Sequence, residues 1–493
     1  MRQPADIQLD NVAIPACVRG FASDASSFDV SITNGSVALI VPSKGAIYSV
    51  ANQSAASESP ATRGGQSPAK ASAKTLAKPS GMLIPALADL HVHLDKTYVV
   101  DEVGAPDGDL FKAIGLMAAY RDGWTAEAIH QRMARAIGDA YACGTRAMRT
   151  HLDWPDAQPP RALAEFEKLH HAWRGRVALQ CVSLTSLDVL GAGAADAAGA
   201  TCITGANGAN GVTGASVSLA GAALRGLLST TAHAIAAELA RLNQRIHQRL
   251  NQRCNPAQGQ VALLGAFVYR NEHLAEKLQR VFNLARQYKL HLDFHVDEGL
   301  DADACGLRTI AELAIHNEFQ GKVTCGHACS LSVQPVAQAR ETLKLCARAG
   351  IHLVALPSTN LYLQGAWDTT PVERGITRLK EALALGIPTS IATDNVADGF
   401  FPYGSYDLLD NFCLGVQVAH LSPAEAWLTH ITTHPAQAMG LVWDGKIVEG
   451  CPADFLLLNA RNGFEMMTPW GRQRRVIRGG VFIEPSSTAT AAP

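Results

Sequence analysis

The chain has 493 residues, 42 Lys and Arg against 44 Asp and Glu, a formal net charge of -2 and 47% hydrophobic residues. That apolar content can bury a sizeable core and excludes a wholly disordered chain. Near-neutral charge without a long basic run excludes a dedicated binder of nucleic acid or of an anionic membrane.

No run of about 20 apolar residues is present to span a bilayer. The first residues lack a basic segment followed by an apolar stretch, so no signal peptide is expected. The 11 cysteines are scattered, odd in number and without a CxxC pair. Reduced cytoplasmic thiols account for them better than a disulfide framework does. The expectation is a soluble cytoplasmic enzyme acting on a small molecule, with neither nucleic acid nor membrane as a partner and with a homo-oligomer as its assembly.

In chain order, residues 1–50 read as the N-terminal part of a small β-sandwich, with DVSITNG and SVALIV as strands and Asn34-Gly35 as a turn. Residues 51–80, rich in Ala, Ser, Pro and Lys, read as a low-complexity, flexible surface excursion. From 81 to 440, apolar strand-like runs alternate with amphipathic helical ones. MLIPALADLHVHL, TRAMRTHLDW, VALQCVSL, HLDFHVDE, KVTCGH, IHLVALP and PTSIATD are the strands; AEAIHQRMARAIGDAYACG, EKLQRVFNLARQYK and VERGITRLKEALALG are intervening helices. So many β-then-α units predict a parallel sheet closed into a (β/α)8 barrel.

Residues 190–260 interrupt the rhythm and read as an insertion. Its glycines at Gly205, Gly208, Gly211 and Gly214 are not followed by Gly-Lys-Ser/Thr, so no phosphate loop is read there. Residues 441–485 return to short strands, as the C-terminal part of the sandwich, and 486–493 form a tail.

The chemistry concentrates at strand ends. His91 and His93 are two residues apart on a strand, so both imidazoles leave the same face. Such a pair reads either as two satisfied histidines or as half of a divalent-metal site. His295 ends another strand with Glu298 three residues on; His327 and Asp394 end two more. Four strand ends agreeing favours the metal, because barrel active sites are assembled at this face. Three imidazoles and a carboxylate leave a position for water on Zn or Fe. His151 and Asp153, in RTHLDW, read as lining the pocket or orienting a metal ligand. Asp95 and Lys96 read either as shaping the mouth or as a solvated pair. His430 and His434 read as structural, and Cys305 and Cys325 as buried apolar fillers.

HVHLDKT, CGTRAMRTHLDW, DFHVDEG, LQGAWDTTPVERGITRLKEAL and ATDNVADGFFPYG resemble stretches of the cytosine deaminase branch of the amidohydrolase superfamily. The resemblance implies a distorted TIM (β/α)8 barrel with a small β-sandwich formed by the two terminal segments. It implies one divalent metal ion per subunit (Fe2+ or Zn2+) and deamination of a small N-heterocycle, cytosine or a related aminopyrimidine, by attack of metal-bound hydroxide. Carried over by position, His91, His93, His295 and Asp394 hold the metal. Glu298 shuttles protons, His327 contacts the metal-bound water or the tetrahedral intermediate, and Asp394 accepts a hydroxyl proton.

Dinuclear relatives carry a lysine at the end of the fourth strand; VALLGAFVYRN has none, which favours one metal. Substrate contacts are placed at Ser186, where the branch has glutamine, at Phe400, where it often has tryptophan, and at Gln364 and Asp368. Two alternatives use other chemistry or none: release of an amine from an N-substituted s-triazine or other cyclic amidine, and a degenerate barrel acting as a scaffold.

Overall fold

The computed structural model describes residues 6–44, 78–105, 110–192, 214–250 and 259–483. The strands are, in chain order, β1 (Ile7–Ala13), β2 (Phe28–Thr33), β3 (Ser36–Pro42), β4 (Gly81–Pro85), β5 (Leu87–Val92), β6 (Thr145–Asp153), β7 (Ala178–Ser186) and β8 (Ala262–Val268). They continue as β9 (Leu292–Val296), β10 (Val323–His327), β11 (His352–Ala355), β12 (Thr389–Ile391), β13 (Phe455–Leu458), β14 (Arg474–Arg478) and β15 (Val481–Ile483). Two compact units result, divided at Pro85/Ala86 and Gly445/Lys446.

The smaller unit is one seven-stranded sheet in the order β15-β14-β13-β4-β1-β2-β3. The Val37 N–H donates to Cys451 O (3.0 Å) and the Gly450 N–H to Val37 O (2.8 Å), so the β3 edge folds back onto the segment leading into β13. The excursion expected at 51–80 lies outside the described residues up to position 77.

The larger unit is a sheet of eight parallel strands running from β5 to β12 without a break in sequence order. It closes where the Asp394 N–H donates to His91 O (2.8 Å) and Val92 bridges Asp394. Lower in the same seam the Asp89 carboxylate accepts the Thr393 N–H (3.1 Å), a side chain taking the place of a strand carbonyl. Irregular register between β5 and β6 distorts the barrel. The fold expected from the motifs is present.

Alternation along each strand decides what faces inward. In β9, Leu292, Phe294 and Val296 join the apolar layer between strands and helices, leaving Asp293 and His295 on the opposite face. Parallel strands buried on both sides usually read as continuous apolar runs; here every second residue is polar because the interior holds the chemistry. The outer layer is sealed by amphipathic helices. Helix Leu274–Tyr288 buries Leu278, Val281, Phe282 and Ala285 at helical spacing. Helix Ala126–Ala142 starts where the Thr125 hydroxyl accepts the Ala128 N–H (3.2 Å).

Three expectations change. The run MLIPALADLHV is not one barrel strand: Met82–Pro85 belongs to the small sheet, and the barrel begins after Pro85. The helix Gly214–Leu250, grouped with the insertion, is the crossover between β7 and β8, with Ile235, Leu239, Leu242 and Ile246 buried among the other barrel helices. The Gly-rich stretch before it, 193–213, lies outside the described residues. The helix expected over VERGITRLKEALALG forms only at Leu379–Ala384; the preceding loop carries Thr377, whose hydroxyl donates to His327 O (2.7 Å).

Candidate metal centre and active site

The six side chains of the expected centre meet at the C-terminal end of the barrel, and all are buried. β5 supplies His91 and the residue after it is His93; β9 carries His295 next to its last residue, β10 ends with His327, and Asp394 follows β12. Residues 204 apart in sequence come into contact: His91 Nε2 and His295 Nε2 are 3.1 Å apart. His295 Nε2 lies 3.2 Å from His93 Nε2. An oxygen of Asp394 is 3.1 Å from His93 Nε2 and 3.5 Å from His91 Nε2.

Each of the four donor atoms thus lies 3.1–3.5 Å from two others, a spacing that a divalent ion bonded at about 2.0–2.2 Å would bridge. The donor atoms fit a divalent ion. The other ring nitrogens, Nδ1 of His91, His93 and His295, have no hydrogen-bond partner among the described residues.

Electrostatics favour the same occupant. Burial, with the neighbouring histidines, holds His91 and His295 well below the ordinary imidazole range, so both are neutral and carry a free lone pair. Burial alone would raise Asp394; the hydrogen bond from His93, with the neighbouring histidines, outweighs it and holds the carboxyl below its usual range. Burial, then the Asp394 charge, pushes Glu298 well above the usual carboxyl range. Glu298 Oε1 lies 3.3 Å from His327 Nδ1.

Backbone strain accompanies function here. His327 (φ 68°) and Asp394 (φ 67°) both occupy the left-handed region, as does Asp297 (φ 49°) beside Glu298. The Asp297 carboxylate accepts the Gly306 N–H (3.1 Å) and the Leu307 N–H (2.9 Å), anchoring that loop to the start of the next helix. Gly326 pairs in register with His295, and a Cβ there would come within 3.0 Å of the His91 ring. Glycine is what lets the ring lie against β10.

The remaining predicted residues divide. His151 joins the cluster: its ring centroid is 4.0 Å from that of His91, and its Nε2 is 3.9 Å from Asp293 Oδ1. Asp153 turns instead to Lys96, with which it makes a short ion pair, and to Arg121 at 3.2 Å. Lys96 is buried with its ammonium 5.4 Å from the centre of the Phe400 ring, and Asp95 is fully buried, so the reading as a solvated pair does not hold. Phe400 is half-buried at the mouth. Gln364 is buried with its Nε2 unpartnered.

Ser186 is exposed and its hydroxyl caps the Asp188 N–H (3.2 Å); Asp368 is exposed on its loop. Neither is brought to the donor set. His430 and His434 lie away from it: His430 Nδ1 meets Trp427 O (3.0 Å) and His434 Nδ1 meets Thr389 O (2.9 Å). Cys325 is buried as expected, whereas Cys305 is exposed.

Sequence reasoning missed Arg149, Asp293 and Asn360. Arg149 crosses the interior to Asp293 (2.8 Å), Thr324 (3.1 Å) and Gln180 (2.9 Å). Asn360 reaches His327. The available signal was period-two spacing, since Arg149 and Asp293 each stand two residues before a histidine that faces the bore.

A family model described as amidohydrolase family matches residues 257–483. Over 409 residues the chain is 32% identical to a pterin deaminase of Rhizobium rhizogenes, covering 82% of this chain and 81% of that one. The chain belongs to the amidohydrolase family. In fold, this amidohydrolase is similar to a 5-methylcytosine deaminase from Klebsiella pneumoniae liganded with 5-fluorocytosine, with a TM-score of 0.68, 20% identity and 98% of each chain covered. An N-isopropylammelide isopropylaminohydrolase from Burkholderia multivorans gives a TM-score of 0.62 at 20% identity, with 97% of each chain covered. Among the described residues no helix is long and apolar enough to cross a membrane.

Proposed function

We propose that this amidohydrolase removes ammonia hydrolytically from an amino-substituted pyrimidine ring, with pterin as the first candidate substrate and cytosine as the second. The observation that carries the chemistry is the cluster of His91, His93, His295 and Asp394, each with a donor atom 3.1–3.5 Å from two others, with the buried Glu298 and His327 beside them. The pterin deaminase that matches over 82% of the chain supports the fused ring.

His91, His93, His295 and Asp394 would hold a divalent ion, which when bound would supply an acidified water and polarise the carbon under attack. Glu298 takes a proton from the attacking water and passes it to the ring nitrogen. The water oxygen bonds to the amine-bearing carbon; Asp394 accepts the remaining hydroxyl proton. The carbon–nitrogen bond then breaks as the proton taken by Asp394 passes on, through Glu298, to the departing amine; ammonia leaves and a ring carbonyl is left. A Glu298 carboxyl raised by burial is suited to this traffic near neutral pH. His327 donates a hydrogen bond to the oxygen as it gains charge.

Ammonia release from pterin, isocytosine, cytosine, 5-methylcytosine and N-isopropylammelide, measured with metal-loaded protein, tests the reading. Release from pterin above the other rings is expected. Alkylamine from N-isopropylammelide, with no ammonia from any amino ring, would replace this reading with hydrolytic release of an amine from an N-substituted triazine.

A further inference from the structure

His327 is held from two sides. Thr377 binds its carbonyl, and Asn360, on the short helix Pro357–Leu363 that follows β11, places its amide nitrogen 3.0 Å from His327 Nδ1. Both side chains are about 1% exposed. An amide NH2 only donates, so the ring nitrogen it meets must offer a lone pair. A neutral imidazole with a bare Nδ1 carries its proton on Nε2. That Nε2 has no partner among the described residues, and His327 lies with His91 and Asp394 in a cluster whose ligand atoms are within 4.8 Å of one another.

We propose that Asn360 is a positioning residue that fixes His327 as its Nε2–H tautomer, making it a hydrogen-bond donor to the developing oxyanion rather than a base. The proposal rests on the deaminase reading for the identity of that oxygen, while the tautomer itself does not depend on it. Glu298 Oε1, 3.3 Å from the same Nδ1, is the competing neighbour: an ionised carboxylate there would draw the ring proton to Nδ1. The amide is nearer and makes the opposite demand. Asn360 Oδ1 has no donor among the described residues, so nothing in its surroundings calls for the reverse orientation of the amide.

Asn360→Asp is the decisive change, because it keeps the shape and turns the donor into an acceptor. The Nε2 proton moves to Nδ1, and the donor to the oxyanion is lost. Loss of one oxyanion donor lowers kcat about 100-fold or more, and KM is expected to change less than threefold, with metal content unaltered. Nitrogen-15 NMR of histidine-labelled zinc protein, with His327 assigned by its loss in His327→Gln, reads the tautomer without any substrate.

Wild type should show a protonated Nε2 and Asn360→Asp a protonated Nδ1. Asn360→Ala should lower kcat about tenfold at unchanged metal content, which a purely structural asparagine would not do selectively. A protonated Nδ1 in wild type, or full kcat in Asn360→Asp, overturns the proposal. If no ring on the panel is deaminated, the reading of function fails while the NMR result still decides the tautomer.

Discussion

The guanidinium of Arg149 and the carboxylate of Asp293 meet at 2.8 Å in the barrel interior, each two residues before a histidine of the centre. Arg149 also binds Ala438 O (3.0 Å), so it ties β6, β9 and the segment after β12 into one buried network. Burial raises Asp293 to about 6 against the pull of Arg149, which marks how costly that carboxylate would be without its partner. Arg149→Met is expected to destabilise the fold by about 3–5 kcal/mol, read from chemical denaturation. Arg149→Met with Asp293→Leu should recover most of that loss. An Arg149→Met protein as stable as wild type would contradict the account.

Gly326 gives a second prediction. Gly326→Ala pushes a methyl group against the His91 ring and must displace either the ring or β10. Zinc affinity is expected to fall about 10–100-fold, the range for lost support of a metal ligand, with the fold retained by circular dichroism. Competition with a chromophoric chelator measures it; unchanged affinity would mean the ring does not lie where described.

The third prediction concerns pH and a residue far from the centre. Burial, and then the charge of His434, hold His430 at about 3, against 6.5 for the free imidazole. Between pH 6.5 and 3 the unfolded chain binds a proton at this site that the folded chain refuses. Stability therefore falls as pH falls, by about 1.4 kcal/mol per pH unit from this group alone. His430→Gln should show a shallower decline than wild type from pH 6.5 to 4 in urea midpoints. Parallel curves would sink the assignment.

Much of this was legible in the chain itself. The β-then-α rhythm predicts the barrel, and residues at strand ends predict the centre, because a histidine two or three residues from a second polar group stands out in apolar surroundings. Burial was less legible. Asp95 and Lys96 read equally as mouth residues or as a solvated pair, and Arg149 drew no reading, until the tertiary fold supplies Asp153 and Asp293. The border between units was hidden because Met82–Pro85 and Leu87–Val92 follow each other with only Ala86 between, although they join different sheets. The stretch TTAHAIAAELARLNQRIHQRLNQR reads as helical in the sequence, but its Gly-rich neighbour made it part of an insertion rather than the crossover between β7 and β8. Asn360 had no signal in spacing, since it reaches His327 across 33 residues and the whole of β11.

The most direct test of the account is a paired measurement of metal content and ammonia release on wild type and Glu298→Gln with pterin. Wild type should hold one divalent ion per chain and release ammonia. Glu298→Gln should keep the ion and lose at least about 100-fold in turnover, as expected for a proton shuttle. Full activity in Glu298→Gln, or ammonia release from wild type stripped of metal, would contradict it.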